Sequence, residues 1–278
     1  MNDGTSHEAI VGGADDLPPA TVKQCCADVY ASDAARMLLG DSFHPGRTRL
    51  TERLGGLLNL TSRTRVLDVA AGRGTSAIFL AERFGCKVVG VDYSRDNIEA
   101  ANAAAATKGL ADKVTFQWAD AEQLPFPNGS FDAVICECAF CTFPDKQAAA
   151  RDFNRVLGGG GQLGLNDLTR HGSLSPELES LMSWITCIAD AQPLFTYAAL
   201  LCGAAFTVNV VERHDAALAE FVNEMRTRLL AAEVMARLQK LMLPGFDFEG
   251  AKLLAKQALA AIKDGKLGYA ILVASKTR

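Results

Sequence analysis

The stretch Arg65-Val66-Leu67-Asp68-Val69-Ala70-Ala71-Gly72-Arg73-Gly74 decides the fold. A short apolar run that ends in small residues and two glycines reads as a buried strand entering a tight turn. The segment Thr75–Phe84 that follows has helical spacing. Working outward, the same unit recurs. CKVVGVDYS (86–94) reads as a second strand and leads into an alanine-rich helix over Ile98–Lys108. KVTFQWAD (113–120) and FDAVICEC (131–138) read as the third and fourth strands, followed by a helix over Lys146–Leu157. That helix ends at a run of four glycines, and GGQLGLNDLT (160–169), TVNVVERHD (207–215) and KLGYAILVAS (266–275) read as the remaining strands. Short apolar strands alternating with helices predict a Rossmann-like α/β fold, with a seven-stranded, mostly parallel sheet covered by helices on both faces.

The rest of the chain is organised around that unit. Residues 1–20 are polar, with Gly12-Gly13 and Pro18-Pro19, and read as a disordered leader. Residues 21–60 read as a helical lid. Residues 61–278 form the α/β domain, with helical insertions at about 170–204 and 216–264. Hydrophobic residues at 49% supply an ample core, and a net charge of −4 argues against capture of nucleic acid by a broad basic surface. The start of the chain lacks a basic segment followed by an apolar stretch, and no apolar run reaches the roughly 20 residues of a membrane span. The expected setting is cytoplasmic, as a monomer or homodimer acting on a small molecule, with no membrane or nucleic-acid partner.

In an open parallel sheet, ligands sit beyond the carboxyl ends of the strands, where strand order reverses. Glycines after the first strand let backbone approach a ligand, and the helix that follows offers free N–H groups. The second strand ends at Asp92 and the third at Asp120-Ala121, so acids stand at successive strand tips. VLDVAAGRG, GVDYS, WADAEQLPFPNGSFDAV and RVLGGGGQL, spanning about 65–165, resemble the class I S-adenosylmethionine-dependent methyltransferases. The resemblance implies S-adenosylmethionine as cofactor and S-adenosylhomocysteine as product. It assigns the methionine part to Gly72 and Gly74, the ribose to Asp92, and the adenine to Asp120 with Ala121; Asp68, Ala70 and Tyr93 are further cofactor-binding candidates. Ala70 stands where the family more often has glycine. Tyr30 is a candidate to close over the donor. A nicotinamide dinucleotide is the weaker candidate, because positions 70 and 77 are alanine and the G-x-G-x-x-G spacing is absent.

The eight cysteines need separate treatment, since a disulfide framework is unexpected in a reducing compartment. Cys86, Cys136 and Cys202 read as buried fillers. Cys138-Ala139-Phe140-Cys141 has CxxC spacing at the end of the fourth strand but lacks a thioredoxin-type setting. No histidine is evident in that segment to act as a base. VICECAFCTFPDK and the segment from Cys187 to Ala191 are similar to arsenite methyltransferases. That narrower resemblance implies catalytic thiols at Cys138, Cys187 and Cys26, with Cys25 as a further metalloid ligand, and no resident metal. The favoured acceptor is then a thiol-bound metalloid such as arsenite. The first alternative is a C, O or N atom of a small organic metabolite, in a pocket lined by Phe140, Phe143, Trp184 and Phe195. A metalloid-binding protein with a vestigial cofactor fold is the second.

Overall fold

The computed structural model describes residues 18–31, 40, 44–176, 178–179, 190–238 and 246–277, apart from the side chains at 19, 25, 26, 29 and 31. In chain order the elements are α1 (Pro19–Ala31), α2 (Arg47–Leu57), β1 (Arg65–Val69), α3 (Thr75–Phe84), β2 (Lys87–Asp92), α4 (Arg95–Thr107), β3 (Val114–Trp118) and β4 (Phe131–Glu137). A 3-10 turn at Phe140–Thr142 precedes α5 (Lys146–Val156), β5 (Leu157–Arg170), α6 (Leu194–Gly203), β6 (Phe206–Arg213), α7 (Asp215–Arg237), α8 (Phe248–Lys263) and β7 (Leu267–Lys276).

The strands form one sheet in the order β3-β2-β1-β4-β5-β7-β6, parallel except for β7, which runs antiparallel to both neighbours. Strand order reverses between β1 and β4. At that point Val69 pairs with Val91 on one side and Cys136 on the other. The next residues, Asp92 and Glu137, therefore flank the turn after β1. The central strands are apolar because both their faces are covered: Val66, Leu67, Val134 and Ile135 are wholly buried. Seven strands, mostly parallel and packed with helices, are the architecture that the alternation predicts.

The structure differs from the sequence reading at four places. First, α1 begins at Pro19, inside the stretch read as leader. Proline is suited to the first helical position because its missing N–H is unpaired there anyway. Residues 1–17 lie outside the described residues. Second, β5 starts at Leu157 and runs through the four glycines. It therefore begins ahead of the expected Gly160, and its pairing with β4 jumps from Leu157 to Gln162, so these glycines form an irregularity within the ladder. Third, Cys202 is exposed on α6, whereas Cys86 and Cys136 are buried as expected. Fourth, the expected insertion at about 170–204 gives up its first residue to β5 and contains α6; residues 180–189 lie outside the described residues.

Two later features seat the α2 segment beside the sheet. Leu50 and Leu54 bury one side of α2, Leu58 is buried just beyond its end, and a Cβ at Gly164 of β5 would lie 2.7 Å from Leu54 Cδ1, so glycine there permits close helix–strand packing. On its exposed side Arg47, Arg49 and Arg53 pair with Glu224, Glu220 and Glu212.

Candidate active site

A cavity of about 400 Å³ opens at the carboxyl tips of β1, β2 and β4. Asp68, Ala70, Gly72, Asp92, Tyr93, Asp120 and Ala121 all line it, together with Tyr30 from α1. The two acids expected to share a pocket therefore do so.

The glycine turn is built by backbone conformation and one carboxylate. Ala70, Gly72 and Gly74 have φ of 58°, 54° and 81°, the left-handed region that glycine adopts without penalty. Asp92 Oδ2 accepts from Gly72 N–H at 2.8 Å, and its Oδ1 accepts from Ser94 N–H at 2.8 Å. Asp92 thus fastens the first turn to the second strand, a role that strand-end position alone does not reveal. The two glycines divide their work. A Cβ at Gly72 would meet nothing within 4 Å, so that position faces the cavity. A Cβ at Gly74 would lie 2.4 Å from Phe116 Cζ, and Gly74 is not among the residues that line the cavity. Gly74 shapes the start of α3 by packing.

Charge in the cavity is concentrated and mostly acidic. Asp68 is 2% exposed, and its Oδ2 has no partner among the described residues. Burial, then the Glu137 and Asp92 carboxylates, push its pKa well above the ordinary range. Asp92 is raised as well, burial outweighing the three hydrogen bonds that favour its charge. Arg73 lines the same wall, and its buried Nε also has no partner among the described residues. At the other end Lys23 of α1 reaches Asp120 Oδ2 at 2.8 Å and Glu122 Oε2 at 2.5 Å, a contact not foreseen in the sequence.

A carboxylate and an imidazole enter the cavity at the β4 tip. Glu137, the last residue of β4, lines the cavity beside Cys138. Its carboxylate accepts from Thr51 Oγ1 at 3.0 Å, Ser76 Oγ at 2.6 Å and Asn166 Nδ2 at 3.0 Å. His44, legible only as a turn residue before Pro45-Gly46, is 7% exposed, lines the cavity and stands 3.7 Å from Glu137 Oε2. The segment without a histidine acquires one from 93 positions upstream in the chain, delivered by the turn that precedes α2.

The thiols gather only in part. Cys138, at φ 55°, is half-buried and lines the cavity; Cys141 is fully buried. Both are free thiols, so the CxxC spacing forms no disulfide. Burial, then the Asp167 carboxylate, push both thiols well above their ordinary pKa, and Cys141 donates its S–H to Asp167. Cys187 lies outside the described residues, as do the side chains of Cys25 and Cys26. Among the described residues no three His, Cys, Asp or Glu side chains are grouped to hold a metal ion. Of the aromatics expected around an organic acceptor, Phe143 lines the cavity, Phe140 is wholly buried behind it, Phe195 is 74% exposed, and Trp184 lies outside the described residues.

Residues 66–161 match the family described as methyltransferase domain. That stretch of the chain is similar to a methyltransferase domain. A 27-O-demethylrifamycin SV methyltransferase of Amycolatopsis mediterranei is 36% identical to it over 152 residues, which are 50% of this chain and 56% of the relative. The chain spans about half the length of the curated relatives it matches. Among solved structures, phosphoethanolamine N-methyltransferase 2 of Haemonchus contortus, in complex with S-adenosyl-L-methionine, has a TM-score of 0.78. It is 21% identical over 92% of this chain and 60% of that one. The cyclase SpnF has a TM-score of 0.72 at 22% identity, covering 92% and 94% of the two chains. These likenesses show the fold, a Rossmann-like sheet shared with methyltransferases, and a fold shared with a cyclase leaves activity to be argued from the site. No helix among the described residues is long and apolar enough to cross a membrane.

Proposed function

We propose that this chain is an S-adenosylmethionine-dependent methyltransferase acting on a small organic molecule. One observation carries the reading: Asp92 and Asp120, on the tips of adjacent parallel strands, line one cavity with the Gly72 turn and the β4 tip. Its 400 Å³ lies within the range of small-molecule sites, and its residues suit the donor. Asp92 and Tyr93 would hold the ribose, and Asp120 with Ala121 the adenine edge. The Gly72 turn and the unpartnered Arg73 Nε would meet the methionine carboxylate, and the unpartnered Asp68 oxygen its ammonium. S-adenosylmethionine, when bound, supplies an electrophilic methyl group on a sulfonium. The protein's part is to orient the acceptor at the β4 tip and exclude water, with Tyr30 closing the cavity from α1 and Phe143 supplying apolar wall.

Relatives named for an organic acceptor, the rifamycin enzyme among them, support that class over a metalloid. Cys138 on the cavity wall favours arsenite as the second reading. Against it, burial and then the Asp167 carboxylate raise the pKa of both thiols, and a metalloid must displace their protons. Calorimetry with S-adenosylhomocysteine tests the donor site, with binding expected and lost in Asp92→Ala. Release of S-adenosylhomocysteine is then compared for arsenite plus thiol and for a metabolite panel, using wild type and Cys138→Ser. Turnover with arsenite alone, abolished in Cys138→Ser, would reverse the order of the two readings.

A further inference from the structure

The imidazole at the far end of the cavity is wired in one direction. His44 Nδ1 lies 3.2 Å from the Pro45 carbonyl oxygen, an atom that can only accept. In the neutral ring the proton therefore sits on Nδ1, and Nε2 keeps its lone pair. Nε2 stands 3.4 Å from Ser76 Oγ and 3.7 Å from Glu137 Oε2. The single hydroxyl proton of Ser76 is directed to Glu137 at 2.6 Å, so Ser76 has nothing to donate to Nε2. Both neighbours are acceptors for a proton that Nε2 gains. Glu137 itself is fixed by Thr51, Ser76 and Asn166, so its carboxylate is placed to meet a cation on His44.

We propose that His44 is a general base for methyl transfer, and that the acceptor atom is the oxygen of an acidic hydroxyl such as a phenol or enol. This rests on the donor reading above. An amine, a thioether or trivalent arsenic attacks with a lone pair already free. A hydroxyl is a weak nucleophile until its proton leaves. In the step, the hydroxyl proton passes to His44 Nε2 and an oxygen lone pair forms the bond to the methyl carbon. The methyl–sulfur bond breaks with its electron pair left on sulfur. The products are a neutral ether and a neutral thioether, and the positive charge that was on sulfur ends on His44, beside Glu137. His44 is the catalytic residue, and Glu137 and Ser76 are positioning residues.

Two measurements on the full chain test this. In 15N NMR, with His44→Gln identifying the signal, the neutral His44 ring is expected to carry its proton on Nδ1; a proton on Nε2 instead overturns the proposal. In kinetics, the acceptors are 4-substituted phenols and the matching anilines, with S-adenosylmethionine as donor. His44→Gln is expected to lower kcat on phenols roughly 10²- to 10⁴-fold, the usual reach of a positioned base. Its calorimetric affinity for S-adenosylhomocysteine should stay near the wild-type value. The loss should shrink as the phenol becomes more acidic, because a pre-ionised acceptor needs no base. Glu137→Gln should lower kcat on phenols with KM little changed. Turnover of anilines alone, or phenol turnover retained in His44→Gln, overturns the base while leaving the donor reading intact. Failure of the wild type to bind S-adenosylhomocysteine overturns both.

Discussion

Asp68 is the residue whose burial makes the clearest claim on pH. It lies under the switch point with Asp92 and Glu137 as neighbours, and its pKa is held well above the ordinary 3.8. A carboxyl group raised by folding binds its proton more tightly in the native chain than in the unfolded one. Its contribution is thus fully present below about 3.8 and is lost as pH rises through the folded value. The ligand-free protein should accordingly lose thermal stability as pH rises above about 4. Asp68→Asn, which removes the ionisable proton but keeps the shape, should flatten that slope in calorimetric melts between pH 5 and 8. A slope unchanged in the variant would clear Asp68 of the effect. Glycines in the same turn give a second residue-level contrast. Gly74→Ala meets Phe116 at 2.4 Å in a left-handed conformation and should cost about 2–4 kcal/mol. That lowers Tm by several degrees. Gly72→Ala, at φ 54° but with open space, should cost about 1 kcal/mol and chiefly weaken S-adenosylhomocysteine binding in calorimetry. These residues also mark what the sequence discloses. Asp92 and Asp120 are legible because strand period and strand end are local properties. His44 is not, because its partner Glu137 is 93 residues away and only the placement of α2 joins them. Glu137 is not legible either, because alternation stops predicting direction where the chain leaves the sheet, at Cys138 with φ 55°.

Among the elements, α1 is the one whose seating depends on charge. Lys23 bridges Asp120 and Glu122; burial opposes its charge, but the two carboxylates prevail and raise its pKa. The strands were readable from apolar runs, and so was the existence of a helix near residue 21. The docking of that helix was not, since Lys23 is one of many surface-type lysines until the fold brings two acids to it. An ion pair of this partial exposure contributes about 1 kcal/mol or less and weakens with salt. Lys23→Ala should therefore speed amide exchange over Pro19–Ala31 roughly three- to fivefold and leave the β1–β5 amides unchanged. High salt should shift the wild type the same way. Exchange that rises equally throughout the sheet would mean that Lys23 supports the whole domain and not the helix alone.

At the scale of the whole molecule, the cavity is assembled from parts far apart in sequence. The tips of β1, β2 and β4 make its floor, α1 and the turn before α2 contribute walls, and α2 is tied to β6 and α7 by Arg47, Arg49 and Arg53. A donor that touches the Gly72 turn, Asp120 and the N-terminal segment at once binds only the assembled chain, so its binding energy adds to folding stability. With S-adenosylhomocysteine at a hundred times its dissociation constant, linkage gives about 2.7 kcal/mol. For a chain of this size that is a rise of roughly 5–10 °C in Tm. Asp92→Ala removes the carboxylate that holds Gly72 N–H and should erase most of that rise, while its ligand-free Tm falls by a smaller amount. Protection from amide exchange should appear together over Pro19–Ala31 and residues 70–76, because one ligand would span both. Protection confined to residues 70–76 would mean that the donor sits on the sheet alone and that α1 plays no part in holding it.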